Sequence, residues 1–131
     1  MNMTGFEKII LVGGEPFISI TDRATSFNQN AVIKLGEPEK VCLFLNRETK
    51  QLAVMPSKSD DSSAINFLKK GKDPSRGVRF NSKDLQYSLA RLMDWDIDNN
   101  IYRITGEYDA ESNVMIFSLS EATCTQKRAK K

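Results

Sequence analysis

Thr25-Ser26-Phe27-Asn28-Gln29-Asn30-Ala31-Val32-Ile33-Lys34-Leu35-Gly36, followed by Val41-Cys42-Leu43-Phe44-Leu45 and Leu52-Ala53-Val54-Met55-Pro56, decides how this chain folds. The first four residues read as a short strand ending in Phe-Asn. Asn28 suits a helix N-cap, because its short side chain can accept from the open backbone N–H groups of a first turn. Ala31, Val32 and Leu35 then share one helical face, and Gly36 suits the stop. Two apolar runs around the polar turn Asn46-Arg47-Glu48-Thr49-Lys50 read as a β-hairpin closed by Pro56. The unit is therefore strand, short helix, hairpin.

Upstream, Ile9-Ile10-Leu11-Val12 and Phe17-Ile18-Ser19-Ile20 read as strands around the turn Gly13-Gly14-Glu15-Pro16. Downstream, 57–77 is polar and then basic. Inside it, Ala64-Ile65-Asn66-Phe67-Leu68 has the spacing for one or two helical turns, and Ile65, Phe67 and Leu68 pin the connection to the core.

The second half restates the first. Val78-Arg79-Phe80-Asn81 echoes residues 25–28, and Asn81 or Ser82 caps a helix that places Leu85, Leu89, Leu92 and Met93 on one face. A hairpin then joins Ile104-Thr105-Gly106-Glu107-Tyr108 to Val114-Met115-Ile116-Phe117. Inward positions Val41, Leu43, Leu45, Leu52 and Val54 fall on Ile104, Gly106, Tyr108, Met115 and Phe117. The offset is 53 residues at Phe-Asn and 63 at the hairpin turn, so the second copy holds about ten extra residues around Asp94 to Arg103. One such unit cannot cover its own apolar face, whereas two packed as a barrel can, and closure removes exposed sheet edges. The expected fold is mixed α/β and β-rich (α+β): two strand–short helix–β-hairpin units packed as a pseudo-dimeric small barrel. The expected organisation is one domain over 1–131. Its first unit is 5–56, the basic and polar connection 57–77, the second unit 78–121, and 122–131 a basic flexible tail.

Residues 18–56, with a fainter echo at 78–119, resemble the AbrB-like swapped-hairpin domain of bacterial transcription regulators and antitoxins. Thr25-Ser26-Phe27-Asn28, the helix ending Leu35-Gly36 and the hairpin Val41 to Pro56 carry the likeness. In that family two units, usually from two chains, interdigitate into one barrel, and in the MraZ branch one chain carries both. The resemblance implies a pseudo-dimeric barrel formed by this chain alone, and DNA binding. The family's strand ends in proline where this chain has Asn28 and Asn81. Its DNA-contacting arginines cluster in the preceding turn and at the helix start. Here the first copy offers Arg23 and Lys34, and the second Arg79, Lys83 and Arg91.

Composition excludes much chemistry. The 131 residues contain no histidine and only Cys42 and Cys124. Histidine-activated nucleophiles, histidine general bases and the common zinc sites are therefore absent. Asp94-Trp95-Asp96-Ile97-Asp98 begins like a calcium loop, but Asn99 and Thr105 stand where glycine and a bidentate glutamate are needed. It reads as an acidic loop with Trp95 and Ile97 turned inward. Gly13-Gly14 lacks the rest of a phosphate loop, and Lys58 beside Ser57 sits in a segment too polar to bury a catalytic lysine. No enzymatic activity and no cofactor are expected. The longest apolar run is strand-sized and no signal peptide is visible, so a cytoplasmic, non-membrane protein is expected.

The net charge of +2 is unevenly spread. Residues 69–91 hold seven basic groups against two acids, a net of +5, while 94–121 hold seven acids against Arg103, a net of −6. Residues 127–131 add +4 as an electrostatic arm. Two partners follow. Double-stranded DNA would be held through Arg23, Lys34, Lys69, Lys70, Lys72, Arg76, Arg79, Lys83 and Arg91, which can neutralise phosphates. A protein partner would meet Asp94, Asp96, Asp98, Glu107, Asp109 and Glu111, as in an adaptor, an antitoxin-like partner or a phage or mobile-element inhibitor. The chain is expected to be a monomer with a pseudo-two-fold or a homodimer.

Overall fold

Alternation of apolar residues forms the strands, and short polar side chains set where they turn. The computed structural model describes Gly5 and residues 14–57, 62–69 and 73–127. The expected strand 9–12, Lys70, Lys72 and residues 128–131 of the tail lie outside the described residues. Strand β1 (Phe17–Ile20) buries Ile18 and Ile20, and β2 (Thr25–Phe27) buries Thr25 and Phe27. The Thr21 hydroxyl makes the turn between them by accepting from the N–H groups of Arg23 and Ala24, both at 3.1 Å. Helix α1 (Gln29–Lys34) is capped by Asn28, whose Oδ1 accepts from Ala31 N at 3.0 Å. The same oxygen accepts from Phe17 N at 2.9 Å, and Nδ2 donates to the Glu15 carbonyl at 2.9 Å. Asn28 thus fastens the entry of β1 to the start of α1. At the other end Gly36 N–H reaches the Ile33 carbonyl and Glu37 N–H the Val32 carbonyl, a Schellman stop.

The first hairpin is β3 (Lys40–Asn46) and β4 (Gln51–Pro56). Asn46 Oδ1 accepts from the N–H groups of Glu48 and Thr49 to shape its turn. Next comes β5 (Ile65–Asn66), where a helical turn was expected. Val41 pairs with Ile65 and Lys40 with Asn66, and Phe67 N–H continues the ladder to the Glu39 carbonyl at 2.8 Å. Ile, Asn and Phe in succession are poor helix formers, and the open edge of β3 offers them a ladder instead. Phe67 and Leu68 are buried.

After a 3₁₀ turn at Pro74–Arg76 come β6 (Val78–Phe80) and α2 (Lys83–Met93), capped by Ser82. Then β7 (Asn100–Asp109) and β8 (Val114–Ser118) form the second hairpin. A 3₁₀ turn at Leu119–Glu121 leads to β9 (Thr123–Gln126). Within the expected flexible tail 122–131, Thr123–Gln126 is instead a strand. β9 is hydrogen-bonded to β7 from Asn100 to Arg103, because β7 extends past β8 and leaves an edge for the chain to rejoin. Gly106 in β7 permits the close packing of this hairpin, since a Cβ there would lie 2.7 Å from the Phe117 ring and 2.9 Å from Met115 Cγ.

The result is a β-rich α+β fold whose nine described strands form one curled half-barrel sheet, ordered β5-β3-β4-β8-β7-β1-β2-β6, with β9 beside β7. Its core centres on Phe27, whose ring meets Phe67 at 5.0 Å, Phe117 at 6.0 Å and Phe80 at 6.2 Å. Among the described residues no helix is long and apolar enough to cross a membrane.

Candidate nucleic-acid interface

The short antiparallel ladder of β2 and β6 places Thr25 opposite Phe80, Ser26 opposite Arg79 and Phe27 opposite Val78. Phe27 and Val78 are buried, so alternation turns Ser26 and Arg79 to the outer face. Arg23 lies three residues before Ser26 and Arg76 three before Arg79, and antiparallel pairing carries them to opposite ends of the ladder. Three residues of extended chain span roughly 10 Å at most. All three arginines are exposed, and along the ladder they run in the order Arg23, Arg79, Arg76, a row with Arg79 in the middle.

Two hollows flank the row, and Arg79 lines both. One, of about 600 Å³, lies among Thr21, Asp22, Arg23, Arg79, Asp98, Ile101, Thr125, Gln126 and Lys127. The other, of about 440 Å³, lies among Phe67, Leu68, Lys69, Asp73, Arg76, Gly77, Val78 and Arg79. Gly77 lets the chain pass close beneath this second hollow. At φ +70 any Cβ would be strained, and it would stand 2.2 Å from the Phe27 carbonyl oxygen. The guanidinium groups of Arg23, Arg76 and Arg79 make no hydrogen bond or ion pair to described residues, so they are available to an anion.

A fixed polar network meets the first hollow at Asp22. Gln86 is fully buried, and its Nε2 donates to the Asp22 carbonyl at 3.1 Å and to Asn81 Oδ1 at 3.2 Å. Its Oε1 accepts from Ser82 N at 3.0 Å and Thr25 Oγ1 at 3.3 Å. Lys83 Nζ donates to the Asp22 carbonyl at 2.6 Å. The Asp22 carboxylate is ion-paired with Lys127, and that hydrogen bond, with the neighbouring charges of Arg23 and Lys83, holds its carboxyl below the usual carboxylate range. Asp73 is lowered too, because its carboxylate accepts from Ser75. Tyr87 donates to Asp98 Oδ1 at 2.6 Å, and this bond, with the Asp98 charge, pushes its hydroxyl up to about 12.

Of the cations expected from sequence, Arg23, Lys69, Arg76 and Arg79 line the two hollows, and Lys83 stands beside them on the first turn of α2. Lys34, in the last turn of α1, and Arg91, in the last turn of α2, line neither. The basic stretch 69–91 is therefore not one patch, because a helix separates its ends. Nor is 94–111 one acidic face. Asp98 joins the cationic hollow, Asp94 is the left-handed cap of α2, and Asp96 accepts from Asn99 Nδ2. Glu107 and Asp109 lie at the far end of β7, roughly 20 Å along an extended strand, and Glu111 lies in the turn beyond it. Among the described residues no three metal-ligating side chains converge. Sequence reading missed the roles of Asp22 and Gln86, and took Lys127 for part of a free arm. The Phe-Asn offset of 53 carries position 23 onto position 76, both arginine, a correspondence already in reach of the sequence.

No family model, no curated protein and no solved structure matches this chain.

Proposed function

We propose that this chain is a non-enzymatic, cytoplasmic DNA-binding regulator, built as a tandem AbrB-like pseudo-dimer, that grips duplex phosphates through the row Arg23–Arg79–Arg76 with Lys69 beside it. The observation that carries the reading is Arg79 standing between two hollows, flanked at equal sequence distance by two further arginines without carboxylate partners. Planar guanidinium groups take phosphate oxygens in pairs, and each phosphate neutralised releases condensed counterions. With one arginine toward each end of the ladder and Arg79 between them, the row can meet backbone phosphates on either side of a groove. Lys83 at the start of α2 adds positive charge where the helix N-terminus already favours an anion.

Two features of the sheet support the pseudo-dimer. Ser26 faces Arg79 and Ala53 faces Ile116, the positions that offsets of 53 and 63 carry onto one another. Equivalent strands related by a two-fold axis pair in that manner. Exchanging β1–β4 for β5–β8 also maps every pairing among these eight strands onto an observed one, except β1 with β2.

The test is fluorescence anisotropy of a mixed-sequence DNA duplex at low and moderate salt, with wild type and Arg79→Glu. Wild type is expected to bind at micromolar concentration or tighter and Arg79→Glu to lose binding while keeping its circular-dichroism melting curve. Absence of wild-type binding even at low salt would refute the reading. A protein partner is the second reading, favoured by one observation. Phe44 is 53% exposed on the outer face of β3, in a row with Ala53 and Ile116 that ends at Glu107.

A further inference from the structure

The turn that carries Arg23 is held by the far end of the described chain. Lys127 pairs with the Asp22 carboxylate, donates from Nζ to the Asp98 carbonyl at 3.0 Å, and donates from its backbone N–H to the Asn99 carbonyl at 2.9 Å. The Lys127 and Asp22 side chains are only 26% and 24% exposed, so water screens the pair less than it would an open surface pair. Asp22 N–H is bonded in turn to the Ile97 carbonyl at 3.1 Å. Among the described residues, the turn that carries Arg76 has no such tie. Its capping bond is local, from Ser75 N–H to the Asp73 carboxylate at 2.9 Å. The two flanks of the arginine row are therefore held by different means.

We propose that Lys127 is a positioning residue for nucleic-acid binding: by clamping Asp22 to the 97–99 turn it fixes Arg23 at the mouth of its hollow. This rests on the DNA-binding reading above. Lys127 lines the same hollow, but two of its three ammonium donors are engaged by Asp22 and Asp98, so it acts through Arg23 rather than on phosphate. One of the three arginines thus depends on β9 reaching its place on β7.

A double-mutant cycle on duplex affinity tests this. Lys127→Met is expected to weaken binding about fivefold in the wild-type background, a fraction of one charge-assisted contact. In an Arg23→Ala background it should change affinity by less than about 1.7-fold, because the residue it positions is gone. Lys127→Arg should retain wild-type affinity. Equal losses in both backgrounds would mean that Lys127 touches phosphate itself and would overturn the inference, as would no loss in either. Hydrogen exchange gives a readout that needs no DNA. The Asp22 amide should exchange about tenfold faster in Lys127→Met and in Asp22→Asn, reflecting easier local opening. Unchanged exchange would refute the clamp, whereas a wild-type chain that binds no duplex would refute the DNA reading and this role with it. The exchange result would then separate the two failures.

Discussion

Removing Arg79 should change not only how tightly the chain binds DNA but how steeply that binding depends on salt. Four cations line the two hollows without an ion-pair partner among the described residues: Arg23, Lys69, Arg76 and Arg79. If each neutralises one phosphate, log K should fall against log salt with a slope of about −3.6, from about 0.9 per contact. A rise from about 50 to 200 mM salt then costs wild type about 150-fold in affinity. Arg79→Ala removes one contact, so the slope should relax to about −2.7 and the same step should cost about 40-fold. At low salt the variant should also bind at least about tenfold more weakly, the scale of one hydrogen bond to a charged group. Arg91→Ala is the control, since Arg91 lies on the last turn of α2 and lines neither hollow. The assay is anisotropy of one labelled duplex across a salt series for all three proteins. A wild-type slope shallower than about −1, or an Arg79→Ala slope equal to wild type, would refute the phosphate-row reasoning.

Three predictions concern the scaffold. Gln86→Leu leaves the buried Thr25 hydroxyl without its partner and frees the Asp22 carbonyl from Nε2; urea unfolding should show a loss of about 2–4 kcal/mol, and a loss under about 0.5 would refute the hub. Gly106→Ala drives a methyl into Phe117 and Met115, so thermal melting should fall by the equivalent of about 1–3 kcal/mol, and an unchanged midpoint would show that the hairpin yields freely. Tyr87 has its hydroxyl pushed up to about 12 by the Asp98 carboxylate. Folding thus favours its neutral form: the contribution is complete below the unfolded value near 10 and is lost as pH rises from there toward 12. NMR titration of the Tyr87 ring should show this, and Asp98→Asn should bring the midpoint down. A midpoint that stays in place would break the assigned bond.

Local patterning made most of the secondary structure legible. Asn28 and Ser82 as caps, Gly36 as a stop, and both hairpins with their turns follow from side chains that act on backbone within a few residues. The two misreadings share a cause. Ile65-Asn66 and Thr123–Gln126 have no strong pattern of their own, and each becomes a strand only because β3 or β7 presents an open edge from a distant part of the chain.

The candidate site divides along the same line. Charge counting found Arg23, Lys69, Arg76 and Arg79, because the residue type suffices to nominate a cation. It also grouped them with Lys34 and Arg91, which the helices carry away from the two hollows. It joined Asp98 to Glu107, which β7 separates.

By itself, then, the sequence determined the helix caps, both hairpins and their turns, the apolar faces and the absence of histidine chemistry, since each depends on composition or on neighbours within about one helical turn or hairpin. Only the tertiary structure decided that Arg79 stands between Arg23 and Arg76 along the ladder, that Gln86 is buried and bonded to the Asp22 carbonyl, and that Lys127 pairs with Asp22, 105 residues away. Those contacts depend on strand register and on which edges remain open. Both are set by the packing of the whole sheet rather than by any segment of it.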